Sequence, residues 1–375
     1  MIDREISELR RRFRADRTAI THIYGCYVDQ SGQLLADFDE SLALLPTEEQ
    51  EKYLELLKKG ISGALGRTLS ELSFPTAEVM SGERHALLRR LRDERLAGAE
   101  ARRALYEKIA ASLRLGETGY LILLASDVYD VPARGKDGAR GESETQFSYF
   151  VCAVCPVKET KSALRYEPGE KTFRACGIER VAGNPELGFL FPAFDDRTAN
   201  IYNALFYSRS PDQLHQEFID GIFHVESPMS PEEQKATFRE LLTEALDTGC
   251  DLSLAQAVHS QLSERIAIHK ESRDPEPLTV SAGEMGGVLS DCGVPEEKVA
   301  AFQEAWGREF GKGVVASPEN LIDAKRFELK SGSAVITLDP EQSFLIETRI
   351  IDGRRYLLIP ADAAAELNGF PIKLG

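Results

Sequence analysis

Two apolar runs, GYLILLASDVYDV and FSYFVCAVCPV, constrain the fold of this chain more than any other feature. A glycine-rich, charged stretch, PARGKDGARGESETQ, joins them, and each run is apolar enough to predict a buried β-strand. The next segment, ALRYEPGEKTFRA, predicts a second hairpin about Pro168 and Gly169. Neighbouring antiparallel pairs indicate a meander rather than βαβ units, so we predict an α+β fold in which helices pack on an antiparallel sheet.

The length of the chain, 375 residues, is enough for two domains. We predict an α+β domain over residues 1–228 and, over residues 229–375, a helical region that ends in a small antiparallel β element. The runs SAVITL, FLIETRII and RRYLLIP predict the strands of that last element. The dipeptide Asp352-Gly353 predicts the tight turn between the last two.

Local signals predict where several helices begin and end. Thr47 and Gln50 have the spacing of a capping box, and the basic segment 83–115 has the apolar side of a helix. Ser230-Pro231-Glu232-Glu233 combines a cap residue, a proline at the first helical position and a glutamate three residues after the cap. The segment ESRDPEPLTVSA predicts a proline-rich linker between later helices, and Ser317-Pro318 begins a short helix that we expect to end near Phe327.

Composition limits the class of protein. The hydrophobic fraction of 42% and the charged fraction of 28% are typical of soluble globular proteins. No run reaches the ~18 apolar residues of a membrane span, and the start MIDREISELRRRF lacks the apolar core of a signal peptide. We therefore expect a cytoplasmic protein with no membrane partner. A net charge of −16 disfavours general attraction to nucleic acid, although it permits a local basic face.

The six cysteines are expected to remain reduced in the cytoplasm. Cys152 and Cys155 form a C-x-x-C pattern, but they lie in a predicted strand, where side chains three residues apart point to opposite faces. The histidines lack metal-ligand spacing. We therefore predict buried structural thiols, no metal site and no cofactor.

The run LGFLFPAFDDRTANIYNALFYS, which begins at Leu187, is aromatic on both sides of a compact polar cluster. Its polar residues are the ligand-binding candidates: Asp195, Asp196, Arg197, Asn200 and Asn203. If buried, adjacent carboxylates beside an arginine would suit a catalytic or ligand-binding pocket with aromatic walls. Alternatively, Asp195 or Asp196 caps a helix that begins near Thr198, and Arg197 pairs with one of them. We favour the cap; no catalytic motif is present, and no catalytic residue is assigned.

Arginines in two predicted helices are candidates for contact with nucleic acid. They come from residues 2–13 and from the basic segment 83–115: Arg10, Arg11, Arg12, Arg89, Arg90, Arg102 and Arg103. A local basic face is what a nucleic-acid-binding surface requires. Because acids lie in the same segments, solvated helix surfaces are the alternative explanation.

Several stretches carry a resemblance to known proteins: ELRRRF, GCYVD, YLILLASDVYDVP, CPVKETKSAL, PELGFLFPAFDDRTANIYNALFYSR, HKESRDPEPL and IETRIIDGRRYLLIP. Through them the chain resembles, nearly end to end, a bacterial family catalogued as a domain of unknown function, four-three-one-seven in that series. This resemblance implies no activity. More loosely, the order of elements is similar to that of nucleoid-associated proteins of the NdpA type, which implies association with the nucleoid.

We therefore expect a non-enzymatic protein whose partner is nucleic acid or a nucleoid protein. Two alternatives stay open. One is a small-ligand-binding protein or enzyme that uses the cluster Asp195-Asp196-Arg197. The other is a protein-interaction scaffold that uses the edge of the C-terminal sheet. The sequence does not indicate an oligomeric state.

Overall fold

A computed structural model describes residues 1–115, 117–134, 140–246, 251–272, 277–311, 313–360, 365–367 and 370–372. The chain divides into two compact units, which we call unit 1 (Met1–Ser230) and unit 2 (Pro231–Asp274 and Leu278–Gly375). Among the described residues, no helix is both long and apolar enough to cross a membrane.

Unit 1 is built on an antiparallel sheet. Its strands are β1 (His22–Val28), β2 (Leu34–Ser41), β3 (Leu69–Ser73), β4 (Tyr120–Arg134), β5 (Arg140–Glu159), β6 (Ala163–Glu167), β7 (Thr172–Cys176), β8 (Arg180–Ala182), β9 (Leu187–Phe191), β10 (Ala193–Asp195), β11 (Thr198–Asn200) and β12 (Asn203–Ser208). Seven of them pair in the order β2-β1-β4-β5-β9-β12-β3, and β8 adds to β5. β4 and β5 extend beyond the predicted strands, and residues 135–139 between them lie outside the described residues. Strands β6 and β7 form the separate predicted hairpin.

Helices cover both faces of this sheet. They are α1 (Asp3–Arg10), α2 (Thr47–Lys59), α3 (Thr76–Ser81), α4 (Glu83–Asp93), α5 (Ala99–Ser112) and α6 (Gln216–Ile222). One core contains buried residues of α3 to α6, and the other contains buried residues of α1 and α2. Cys152 belongs to the first core and Cys155 to the second, which confirms that their side chains point to opposite faces. Burial raises the pKa of the Cys155 thiol to about 12.

Unit 2 is a helical assembly followed by hairpins. Its helices are α7 (Pro231–Leu246), α8 (Leu252–Ser272), α9 (Ala282–Asp291), α10 (Glu296–Glu309) and α11 (Pro318–Leu321). Its strands are β13 (Phe327–Ser331), β14 (Ala334–Leu338), β15 (Glu347–Ile351), β16 (Arg354–Leu358), β17 (Ala365–Leu367) and β18 (Phe370–Ile372), paired in sequence order. Trp306 is buried in the helical core against Phe238, Phe302 and Phe310.

The α+β class, the antiparallel sheet and the C-terminal hairpin are confirmed. Asp352 and Gly353 form the turn between β15 and β16, both with the positive φ, 50° and 75°, that a tight hairpin turn requires. The basic segment 83–115 is two helices rather than one. Arg95 and Leu96 have φ of 49° and 63° in the connection between them, a left-handed conformation that no helix interior accommodates.

Two other local predictions were wrong, and one helix cap was not predicted. Thr47 is the first helical residue of α2, and Pro46 occupies the cap position without a side-chain hydrogen bond. Helix α11 ends at Leu321, and Phe327 begins β13 instead of ending a helix. The predicted linker ends in the cap of α9, where Ser281 and Glu284 form a capping box that the sequence reading missed.

Candidate functional site

Asp196 and Arg197 form the two-residue turn of the hairpin β10–β11, in which Asp195 pairs with Thr198. Their φ values are 45° and 59°, as a turn that matches the twist of the two strands requires. The predicted helix near Thr198 is therefore wrong, because the chain returns along β11 and then enters the sheet as β12. Pairing with β9 and β3 satisfies the backbone groups of β12, and Asp tolerates the left-handed conformation of the turn.

Arg197 joins this turn to helix α1. Its guanidinium donates through Nη1 to Oε2 of Glu8 at 2.6 Å and through Nη2 to the carbonyl of Pro132 at 3.1 Å. The backbone N–H of Arg197 donates to Oε1 of Glu5 at 3.1 Å. Tyr129 donates its hydroxyl to Glu8 from the other side. The side chains of Arg197 and Glu8 are 20% and 19% exposed, so their ion pair is largely shielded from water.

The other ligand-binding candidates have separate partners. The amide of Asn200 donates to Oδ2 of Asp195 at 3.2 Å, and Oδ1 of Asn200 accepts the N–H of Tyr202 at 3.0 Å. Asn203 donates to Glu71 on the neighbouring strand β3. Asp196 is exposed, and its side chain has no hydrogen bond or ion pair to any described residue. The α-amino group of Met1 lies 2.9 Å from Oε2 of Glu71 and 3.5 Å from Oδ1 of Asp195, so Asn203 is connected to Asp195 only through these two groups.

Asp127 is a buried carboxylate on the same face of the sheet as Tyr129, and it was not predicted from the sequence. Nη2 of Arg12 donates to its Oδ1 at 2.9 Å, and Nε of Arg12 donates to its Oδ2. The hydroxyl of Tyr149 donates to Oδ2 at 2.9 Å. Burial, followed by the charge of Asp127, raises the pKa of Tyr149 well above its ordinary value, so this hydroxyl remains a donor. Arg12 also lies over the ring of Tyr129, 4.8 Å from its centroid.

These contacts favour a structural role for the polar cluster. Its cations and carboxylates connect α1, and Arg12 just beyond it, to β4, β5 and the turn β10–β11. A ligand at this place would have to compete with hydrogen bonds that are already made, and leaving a buried partner unsatisfied costs more than the bond itself contributes. The ligand-binding hypothesis for this cluster stays a prediction.

Most of the arginines proposed to contact nucleic acid are engaged within unit 1. Arg10 donates to the carbonyls of Ile61 and Gly63, and Arg102 lies over the ring of Tyr24 at 4.1 Å. Ion pairs join Arg12 to Asp127, Arg90 to Glu94 and Glu100, and Arg103 to Glu107. Only Arg11 and Arg89 have no side-chain partner among the described residues. Association with nucleic acid therefore stays a prediction. It has less support because most of these arginines already have partners within unit 1.

Within the described ranges, no three His, Cys, Asp or Glu side chains lie close enough together to hold a metal ion. Two buried histidine nitrogens of unit 1, Nδ1 of His85 and Nε2 of His215, have no hydrogen-bond partner there. His85 packs between Phe74 and Phe191, and its Nε2 lies 2.8 Å from the carbonyl of Ile201. Burial lowers the pKa of both rings, so they are neutral.

Unit 2 contains a cavity of about 530 Å³, which we call the α7–α8 cavity. Its lining residues are Lys235, Phe238, Arg239, Leu242, Leu246, Leu252, Leu254, Ala255, Val258, His259, Leu321, Ile322, Asp323, Arg326, Phe327, Glu328 and Leu329. Most of them are apolar, and Phe238, Val258, Leu321 and Phe327 are buried. The wall therefore combines an apolar interior with a small number of charged groups, as small-molecule sites usually do.

Most polar groups of the cavity wall have partners. Nε2 of His259 lies 3.0 Å from the carbonyl of Asp323, and burial lowers the pKa of His259, so its ring is neutral at pH 7. Glu328 pairs with Arg326 and with Lys330. Lys235 and Arg239 differ, because neither has a hydrogen bond or ion pair to its side chain from the described part of the chain.

This cavity was not predicted from the sequence. Its walls come from the consecutive helices α7 and α8 and from residues 321–329, which lie much further along the chain. One available signal was the spacing of Lys235 and Arg239, four residues apart on the same helix face as Phe238 and Leu242. A second cleft of about 480 Å³, between α7 and α10, is lined mainly by charged residues such as Glu244, Glu297 and Arg308.

Comparison with known proteins bears on the family and not on the activity. A family model described as a domain of unknown function, DUF4317, matches residues 1–370. A search of curated proteins finds no match. The looser resemblance to nucleoid-associated proteins has no support from these comparisons. The chain belongs to the DUF4317 family.

Proposed function

We propose that the protein binds a small molecule with an apolar body in the α7–α8 cavity. The observation that carries the proposal is the cavity itself: about 530 Å³, with a mainly apolar wall that continues into the core of unit 2. Ligand sites for small molecules usually measure roughly 300–1,000 Å³ and have few polar groups, placed to orient the ligand. This proposal keeps the small-ligand-binding alternative, but it places the ligand in unit 2 instead of at the polar cluster of unit 1.

The hydrophobic effect supplies the driving force for such binding. Leu242, Leu254 and Ile322 line the cavity and are only partly buried, so they keep apolar surface in contact with water. Covering apolar surface contributes about 25 cal/mol per Å². Phe238 and Phe327 supply large buried side chains to the wall.

The polar cluster of unit 1 offers less for a ligand. Arg197, Glu8 and Asp127 are already hydrogen-bonded within the protein. A ligand there would gain little apolar burial and would displace existing partners, whereas the α7–α8 cavity requires no such exchange. We place nucleic-acid binding behind small-ligand binding, because Arg90 and Arg103 already pair with carboxylates and the net charge of −16 disfavours attraction to nucleic acid.

A neutral, environment-sensitive dye tests this proposal. Nile red should show a saturable rise in fluorescence with the purified full chain. Ala255→Trp places an indole on the cavity wall and should weaken binding by about tenfold or more, because it occupies the space the dye needs. Circular dichroism establishes that the variant is folded.

Ala301→Trp is the matched control, since Ala301 lies at an exposed position of α10 outside this cavity. It should bind the dye as the wild type does. The proposal fails if the wild type shows no saturable binding, or if both tryptophan variants bind as tightly as the wild type.

A further inference from the structure

We propose that the ligand of the α7–α8 cavity is an amphiphile with an apolar tail and one anionic head, and that Lys235 and Arg239 bind the head. This inference rests on the proposed function and specifies the class of ligand. The two cations are separated by one helical turn on α7, so they share one face of the helix, and both line the cavity.

Lys235 and Arg239 are both without a partner in the described part of the chain. Neither ammonium nor guanidinium has a hydrogen bond or ion pair to any residue the structure describes. The side chain of Lys235 is half-buried and that of Arg239 is exposed, and both line the cavity. An anion that enters from solvent can therefore reach both cations and supply the missing partner.

The other charged groups on the wall do not supply this partner. Glu328 already accepts from Lys330 at 2.8 Å and pairs with Arg326. The carboxylate of Asp323 accepts the backbone N–H of Lys325 at 3.0 Å, and it forms no ion pair with a described cation. Among the described residues of the wall, two cations and one carboxylate therefore have no ion-pair partner. That excess of positive charge contrasts with the net charge of −16 of the whole chain.

The arrangement of charge and apolar surface determines the shape of the ligand. Lys235 and Arg239 lie on the same helix as Phe238 and Leu242, which line the apolar part of the cavity. A ligand whose head contacts the two cations can thus place its tail against these apolar side chains. A carboxylate or a phosphate ester would both suit the head, because each presents several acceptor oxygens to Lys and Arg.

Competition against bound Nile red tests this proposal at pH 8. The competitors are octanoate, octyl phosphate and octanol, which have the same number of carbon atoms and differ in the head. At least one of the two anions should displace the dye from the wild-type chain at concentrations about tenfold lower than octanol. The anion that displaces better identifies the head as a carboxylate or a phosphate.

The variant Lys235→Gln/Arg239→Gln should lose this preference and should bind octanol as the wild type does. The control is Arg354→Gln/Arg355→Gln, which removes two positive charges from the exposed hairpin β15–β16, where neither arginine has a described partner. It should keep the preference. The anion proposal is overturned if octanol competes as well as both anions, or if the control variant loses the preference equally. Either result leaves the proposed function standing, because that proposal is tested separately by the binding of Nile red to the wild type and to the two tryptophan variants.

Discussion

Replacing Arg12 with methionine is expected to destabilise the protein by about 3 kcal/mol or more. Arg12 is the ion-pair partner of Asp127, whose side chain is 1% exposed. Without the guanidinium, only Tyr149 would still donate to this carboxylate, and the negative charge would remain buried without a counter-charge. Urea denaturation followed by far-ultraviolet circular dichroism measures the loss.

Arg14→Met is the control for Arg12→Met. Arg14 pairs with Asp16 at the surface, where both side chains are 57% exposed, so its removal should cost less than about 1 kcal/mol. Equal effects of the two substitutions would contradict a special role for the buried pair. They would also remove the main reason for treating the polar network around α1 as structural.

Gly188→Ala is the second substitution with a large expected effect, about 3 kcal/mol of destabilisation. A Cβ at Gly188 would lie 2.2 Å from the carbonyl oxygen of Gly60 and 2.7 Å from its Cα. Both are backbone atoms at the end of α2, so neither can rotate away as a side chain could. The clash should separate α2 from strand β9 and lower the melting temperature.

Gly169→Ala provides the comparison for Gly188→Ala. Gly169 lies in the turn between β6 and β7, and a Cβ there would meet no atom within 4 Å. Its melting temperature should stay close to that of the wild type. If Gly188→Ala were equally well tolerated, the close approach of α2 to the sheet would not be a requirement of the fold.

The β4–β5 pair and the two hairpins β6–β7 and β15–β16 could be predicted because their signals are local. The apolar runs of β4 and β5, the turn at Pro168 and Gly169 and the turn at Asp352 and Gly353 each depend on a few neighbouring residues. The opposite orientation of Cys152 and Cys155 follows from strand geometry alone.

The polar cluster could not be interpreted in this way, because its partners are distant in sequence. Arg197 contacts Glu5 and Glu8, which precede it by 192 and 189 residues. A sequence pattern cannot show these contacts, and an isolated Asp-Asp-Arg before a threonine fits a helix cap as well as a hairpin turn. The segment that begins at Asn203 forms strand β12 instead of a helix because it pairs inside the sheet.

The α7–α8 cavity escaped prediction for a related reason. A cavity forms where several elements do not fill the space between them, so the sequence of a single segment does not predict it. The alternation of cations and apolar residues along α7 indicates a helix, and it does not indicate whether the face is packed or open.

Hydrogen exchange measured by mass spectrometry tests the location of the ligand site most directly. The full chain would be compared with and without octanoate, octyl phosphate or octanol, whichever displaces Nile red at the lowest concentration. We predict slower exchange in α7, the start of α8 and β13, and unchanged exchange in the hairpin β10–β11. Slower exchange in β10–β11 with no change in α7, α8 and β13 would contradict this account and would assign the site to the polar cluster of unit 1.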